Sequence, residues 1–90
     1  MNTLLLDNPY LANRVSEIRS CYVVCDGLFA FSVHDTIKEA EKMQGDILSL
    51  YNFYAAIESV DNFLCHFKTY AILSCVIDEL IKIKSGTNWF

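Results

Sequence analysis

Residues 47–57, ILSLYNFYAAI, contain no formal charge, and from Asn62 to Ile77 the single formal charge is Lys68. Placed on a helical wheel, Ile47, Leu48, Leu50, Tyr51, Phe53, Tyr54 and Ile57 leave only Ser49 and Asn52 polar. A chain of 90 residues hides only about two-thirds of the surface its unfolded form exposes. Segments this apolar must therefore occupy the middle of the fold or be covered by something else. The chain holds 5 Tyr, 6 Phe and 1 Trp in a composition that is 53% hydrophobic and 20% charged, which excludes a disordered segment.

Helix punctuation is frequent. Pro9 follows Asp7 and Asn8, and proline at a first helical position behind an Asx cap starts a helix. Leu11, Val15, Ile18 and Tyr22 then recur at helical spacing, predicting a helix over about 9–25 that stops near Gly27. Residues 28–33, LFAFSV, read equally as helix or strand. Ser32 with Asp35 has the form of a capping box, and Val33, Ile37, Ala40 and Met43 or Gln44 face inward on a second helix ended by Gly45. Asp46 caps a third, uncharged segment. Ser59, Asp61 and Asn62 cap a fourth, running to about Ser85, with Lys82 and Lys84 suited to the negative end of its dipole and Gly86 as its stop.

These elements predict an all-α fold: a single helical domain over 1–90 of three to four antiparallel helices, as helical hairpins or a small bundle. Residues 1–8 form a lead and 86–90 a tail, whose Trp89 and Phe90 are either a fold-back plug or a docking handle. The competing possibility is a hairpin in which Tyr22–Val24 pairs with Leu28–Phe31 across Asp26-Gly27. Helical flanks favour the first reading.

Charge narrows the partners. Seven basic and 11 acidic side chains give −4, split as +4 and −6 in the first 45 residues and +3 and −5 in the rest. That balance excludes a nucleic-acid binder built on a basic patch, and a strongly acidic DNA mimic too. No apolar run reaches the roughly 18 residues of a membrane span, and the start, MNTLLLDNPY, lacks the basic region of a secretory signal. A cytoplasmic protein is expected.

No motif for chemistry emerges. Cys21 and Cys25 lie in an apolar stripe, and Cys65 and Cys75 point about 80° apart on one helix, so buried thiols are expected rather than zinc ligands. His34 sits at a helix start. Cys65 and His66 are adjacent and about 100° apart on a helix, and cannot form a nucleophile–base pair. Three glycines, all at helix ends, make no phosphate cradle. The expectation is a non-enzymatic chain without cofactor or metal.

Ala40, Ala56 and Ala71 fall 16 and 15 residues apart, near the half-period of tetratricopeptide-type helix pairs. With them, the segment HDTIKEAEKMQGDILSLYNFYAAIESVDNFL resembles the small tetratricopeptide-like chaperones of type III secretion needle subunits, over roughly residues 30–85. The resemblance implies a virulence-associated hetero-oligomer in which a groove sequesters an aggregation-prone needle subunit or small co-chaperone. Phe53, Tyr54, Phe67 and Tyr70 are the groove candidates it suggests.

The residues themselves point to a protein–protein interaction module whose third and fourth helices receive an amphipathic client helix, with Tyr51, Phe53, Tyr54, Phe67 and Tyr70 as partner-binding candidates. Two other readings fit the same composition. One is a phage- or immunity-type inhibitor presenting Tyr10, Glu17, Asp35, Glu39 and Glu41 to an enzyme. The other is a structural homodimer paired through its last helix.

Overall fold

Capping residues set most of the element boundaries. In the computed structural model, which describes residues 8–86, Asn8 Oδ1 accepts from the backbone N–H groups of Tyr10 (3.0 Å) and Leu11 (3.4 Å) and starts helix α1, Pro9–Val15. Strands β1 (Tyr22–Asp26) and β2 (Phe29–His34) follow, then helix α2 (Ile37–Tyr51), strand β3 (Ala56–Ser59), and helices α3 (Val60–Leu64) and α4 (Tyr70–Lys84). The all-α bundle of helical hairpins is therefore corrected: this is an α+β fold with a three-stranded antiparallel sheet in the order β2-β1-β3. Of the expected lead and tail, residues 1–7 and 87–90, with Trp89 and Phe90, lie outside the described residues.

The expected helix over 9–25 ends at Val15. Beyond it the chain makes tight turns, with Ile18 N donating to Val15 O at 3.0 Å and Cys21 N to Ile18 O at 2.9 Å. Leu11, Val15 and Ile18 are buried, so the apolar stripe places them inside although the helix does not reach Tyr22. Tyr22–Asp26 instead pairs with Phe29–His34 across Gly27-Leu28, which realises the hairpin alternative. Gly27 has φ +60° and Leu28 does not have positive φ, the pattern of a type II′ turn with glycine first.

The strand was hidden in the sequence because β1 is buried on both faces. Val23 and Cys25 point into one core with Leu11, Phe63, Leu73 and Ile77; Val24 points into a second with Ala40, Ile47 and Ala55. A strand covered on two sides reads as an unbroken apolar run and loses the alternation that identifies half-buried strands. Helices α1, α3 and α4 make the first layer, and α2 alone makes the second. Between Val24 and Cys25 the register shifts: Val24 opposes Ser32 and Cys25 opposes Ala30, leaving Phe31 as the extra residue of a bulge. The bulge sends Phe31 to the α2 side while Ala30 and Val33 pack into the first core.

Two further corrections concern helix ends. Thr36, not Ser32, caps α2, its Oγ1 accepting from Glu39 N at 3.2 Å, and the helix runs straight through Gly45 to Asn52. The expected third helix is consequently divided: Ile47–Tyr51 is the end of α2, and Ala56 and Ile57 belong to β3. The expected fourth helix is broken between Leu64 and Tyr70, where Thr69 Oγ1 accepts from Ile72 N at 3.4 Å and restarts it as α4. Ser59 does cap α3, Lys82 and Lys84 do occupy the last turn of α4, and Gly86 closes it at φ +81°.

The two interior glycine positions give opposite expectations. A Cβ at Gly45 or Gly27 meets nothing within 4 Å, so only backbone conformation matters. Gly45→Ala, in a helix interior, should raise stability by about 0.5–1 kcal/mol. Gly27→Ala, forced left-handed, should lower it by roughly 1–2 kcal/mol. Urea denaturation of the two variants measures both, and a destabilised Gly45→Ala would mean that α2 ends where the capping pattern first suggested.

Candidate functional site

Of the twelve rings in the sequence, those of Tyr10, Phe29, Tyr51, Phe53, Tyr54 and Tyr70 are exposed, and Phe63 is the one described ring buried outright. The densest group stands at the end of α2. On the wheel Tyr51 lies about 40° from the buried Ile47, yet it is 53% exposed, because the sheet no longer covers the last turn. Leu48 and Leu50 of the same turn are exposed beside it, Phe53 stacks on Tyr51 with centroids 6.1 Å apart and planes at 22°, and Tyr54 is 73% exposed.

Three contacts hold this segment in place. Asn52 adopts φ 55°, ψ 34° and donates its N–H to Leu48 O at 2.9 Å, ending the helix with a left-handed residue. Gln44 Nε2 donates to Ala55 O at 2.8 Å, and Ala55 itself is buried in the second core. The chain between these anchors therefore presents Phe53 and Tyr54 outward.

Phe67 and Tyr70 are elsewhere. Phe67 is half-buried in the α3–α4 connection, its ring 5.5 Å from that of Phe63. Tyr70, at the start of α4, faces Tyr10 at 6.5 Å, and Arg14 lies over the Tyr10 ring and pairs with Asp78. Because α2 and α4 pack on opposite faces of the sheet, they do not meet to form the expected helix–helix groove. The sequence-derived candidates thus divide into Tyr51, Phe53 and Tyr54 on one surface, and Phe67 and Tyr70 on another.

Sequence reasoning missed a second apolar feature, a cleft of about 200 Å³ between the β1–β2 turn and α4. Leu28 and Phe29 are its exposed lip, and Phe63, Val76, Leu80 and Ile83 are among its walls. The Asp26-Gly27 turn signal was the clue to it.

One cysteine and one histidine share a carboxylate in an arrangement that resembles chemistry. Cys25 Sγ donates to Glu58 Oε2 at 3.6 Å, and Glu58 Oε1 accepts from His66 Nε2 at 3.2 Å. The carboxylate stands between thiol and imidazole, so the base cannot take the proton that nucleophilic catalysis requires. Burial first, and then the Glu58 charge, push the Cys25 thiol up from 9.0 to about 12. It stays protonated and unreactive at neutral pH. At the opposite end of β1, the Asp35 carboxyl is held below the usual range by the hydrogen bond from Cys21 Sγ (3.4 Å) and then by Lys84 (3.3 Å). That ion pair also engages one of the acidic residues an inhibitor surface would present. Among the described residues no group of three or more His, Cys, Asp or Glu is placed to hold a metal ion, and no helix is long and apolar enough to cross a membrane.

Comparison with protein families, with curated proteins and with solved structures finds no match, so function must be read from these surfaces.

Cys25 gives a test of the buried site. Its folded pKa lies above the unfolded thiol value, so the folded chain holds a proton that the unfolded chain releases. Stability from this group is intact below pH 9.0 and declines as pH rises toward about 12. Cys25→Ala should flatten that part of the alkaline stability profile. Mass spectrometry of iodoacetamide-treated native protein should find the exposed Cys75 alkylated well before Cys25; early labelling of Cys25 would contradict a closed site.

Proposed function

We propose that this protein is a non-catalytic, cytoplasmic binding module that shields an apolar helical segment of another protein, as a chaperone or co-chaperone does. The observation that supports this is the exposure of Leu48, Leu50, Tyr51, Phe53 and Tyr54, with Phe53 stacked on Tyr51, on a stretch without any formal charge. Contiguous exposed apolar surface marks an interaction site, and Tyr is among the residues that most often anchor interfaces. An amphipathic helix laid along the last turn of α2 would cover these rings while its polar face stayed in water. Hydrophobic contact suits such a client, since no charged side chain within 47–57 would confer charge selectivity.

A type III secretion needle subunit is the client named by the sequence resemblance. The long helices that carried that resemblance are interrupted by β3 and by the break before Tyr70. The reading therefore stands on the exposed aromatic surface, and the needle subunit is the first client to try.

Light scattering by an aggregating needle subunit, with and without the purified chain, tests the proposal. The native chain should suppress aggregation at near-stoichiometric ratios. Phe53→Ala and Tyr54→Ala should each weaken binding by about 2 kcal/mol, roughly 30-fold. The folding stability of both should stay within about 0.5 kcal/mol of the parent, because the replaced rings are already in water. Variants that bind as well as the parent, or that lose self-association instead of client binding, would reject this surface as a client site.

A further inference from the structure

We propose that the cleft between the β1–β2 turn and α4 binds a small organic cation, a single aromatic ring joined through a short aliphatic arm to a primary ammonium. The site is separate from the aromatic surface at the end of α2, since the cleft opens on the α4 side of the sheet and draws on residues of the first core.

Size sets the first limit. The cleft holds about 200 Å³, and a closed apolar cavity of about 150 Å³ accommodates benzene. One ring with a short arm fits this volume. Phe63 supplies a wall fixed in the core, and Leu28 and Phe29 form a lip that is exposed by 60% and 59%. The lip is held in place, with Gly27 at φ +60° setting the turn and the Phe29 ring meeting that of Phe31 edge to face, centroids 5.1 Å apart. A site formed in advance loses less conformational freedom when a ligand enters.

Helix α4 sets the direction. Val76, Glu79, Leu80 and Ile83 all line the cleft. Around the helix, Ile83 lies about 20° from Val76, with Leu80 about 40° to one side and Glu79 about 60° to the other. Leu80 is buried and Glu79 is exposed, so the floor lies toward Leu80 and the mouth toward Glu79. A ring lying over Val76 and Ile83 therefore directs its arm to the Glu79 carboxylate.

Charge selects the ligand. Among the described residues Glu79 is the one charged side chain lining the cleft, and no ion pair includes it: Arg14, Arg19, Lys42 and Lys84 are engaged by Asp78, Asp61, Asp46 and Asp35. An ammonium completes that pair while the ring is covered by the lip. A carboxylate or phosphate in the same place would be repelled by Glu79, in a chain whose net charge is −4.

Titration of the full chain with phenethylammonium, followed by its methyl resonances, tests the proposal, with phenethyl alcohol and hydrocinnamate as neutral and anionic counterparts of similar shape. The cation should shift the methyl signals of Leu28, Val76, Leu80 and Ile83 saturably and leave those of Leu48 and Leu50 unmoved. It should bind about three- to five-fold more tightly than the alcohol, the gain from one solvent-exposed ion pair, and the carboxylate should bind more weakly than either. Glu79→Gln, at an exposed position, should lower the affinity for the cation to that for the alcohol while the far-ultraviolet circular dichroism is kept. Val76→Phe, which fills the cleft, should abolish binding of both, and the shift map of the parent chain locates the site even where that variant fails to fold. Absence of saturable shifts at the cleft methyls overturns the proposal. So do largest shifts at Leu48 and Leu50, which would place the ligand on the α2 surface, equal affinities for cation and alcohol, or a preference for the cation that survives Glu79→Gln.

Discussion

Burial of β1 on both faces is the constraint from which the rest of the arrangement follows. Val23 and Val24 are adjacent, point in opposite directions, and are both fully inaccessible. Covering a valine side chain contributes roughly 1.5–3 kcal/mol, so each face of the strand needs its own layer. The chain supplies unequal ones. Three helices close the first face around Phe63, Leu73 and Ile77, whereas α2 closes the second with little more than Ala40, Met43 and Ile47. The Phe31 bulge compensates in part by turning a ring from the edge strand toward the thinner side. A layer one helix thick leaves the outer face and last turn of that helix uncovered, and that is where Leu48, Leu50 and Tyr51 are found.

Signals carried by single side chains were legible in the sequence. Asn8-Pro9 starts a helix, Ser59 caps another, Gly86 ends the last, and Leu11, Val15 and Ile18 are inside because helical spacing put them on one stripe. What failed was every inference that needed tertiary knowledge. Tyr22-Val23-Val24-Cys25 extends the helical stripe by spacing, and only the existence of two covering layers makes it a strand. Gly45 has the residue type of a left-handed stop but stays helical, since Asn52 provides that stop about two turns later. The break from Cys65 to Thr69 carries neither glycine nor proline, so nothing local announces it; Thr69 acts as a cap only once the chain has already turned.

The site was legible to the same degree. The uncharged stretch at 47–57 drew attention to Tyr51, Phe53 and Tyr54, which are exposed together. Phe67 and Tyr70 were grouped with them by assuming that consecutive helices pack side by side. A sheet between α2 and α4 removes that adjacency. Interposing strands also creates what helices alone could not, a turn whose lip overhangs α4 and encloses an apolar cleft.

Exposed rings are useful for binding only if they are held in position. Ordering a rotamer-rich side chain at an interface costs about 0.5–1.5 kcal/mol, which a surface fixed beforehand avoids. The segment after α2 has such fixation: the left-handed Asn52 is bonded back to Leu48, Gln44 ties down the carbonyl of Ala55, and Ala55 is sealed in the core. Between those anchors only Phe53 and Tyr54 project, with Phe53 braced by its stack on Tyr51. Two contacts from α2 and one buried methyl group thus turn a surplus of apolar side chains into a rigid surface. A loop of the same composition lacking Gln44 and Asn52 would expose equal area yet lose more conformational freedom on meeting a partner.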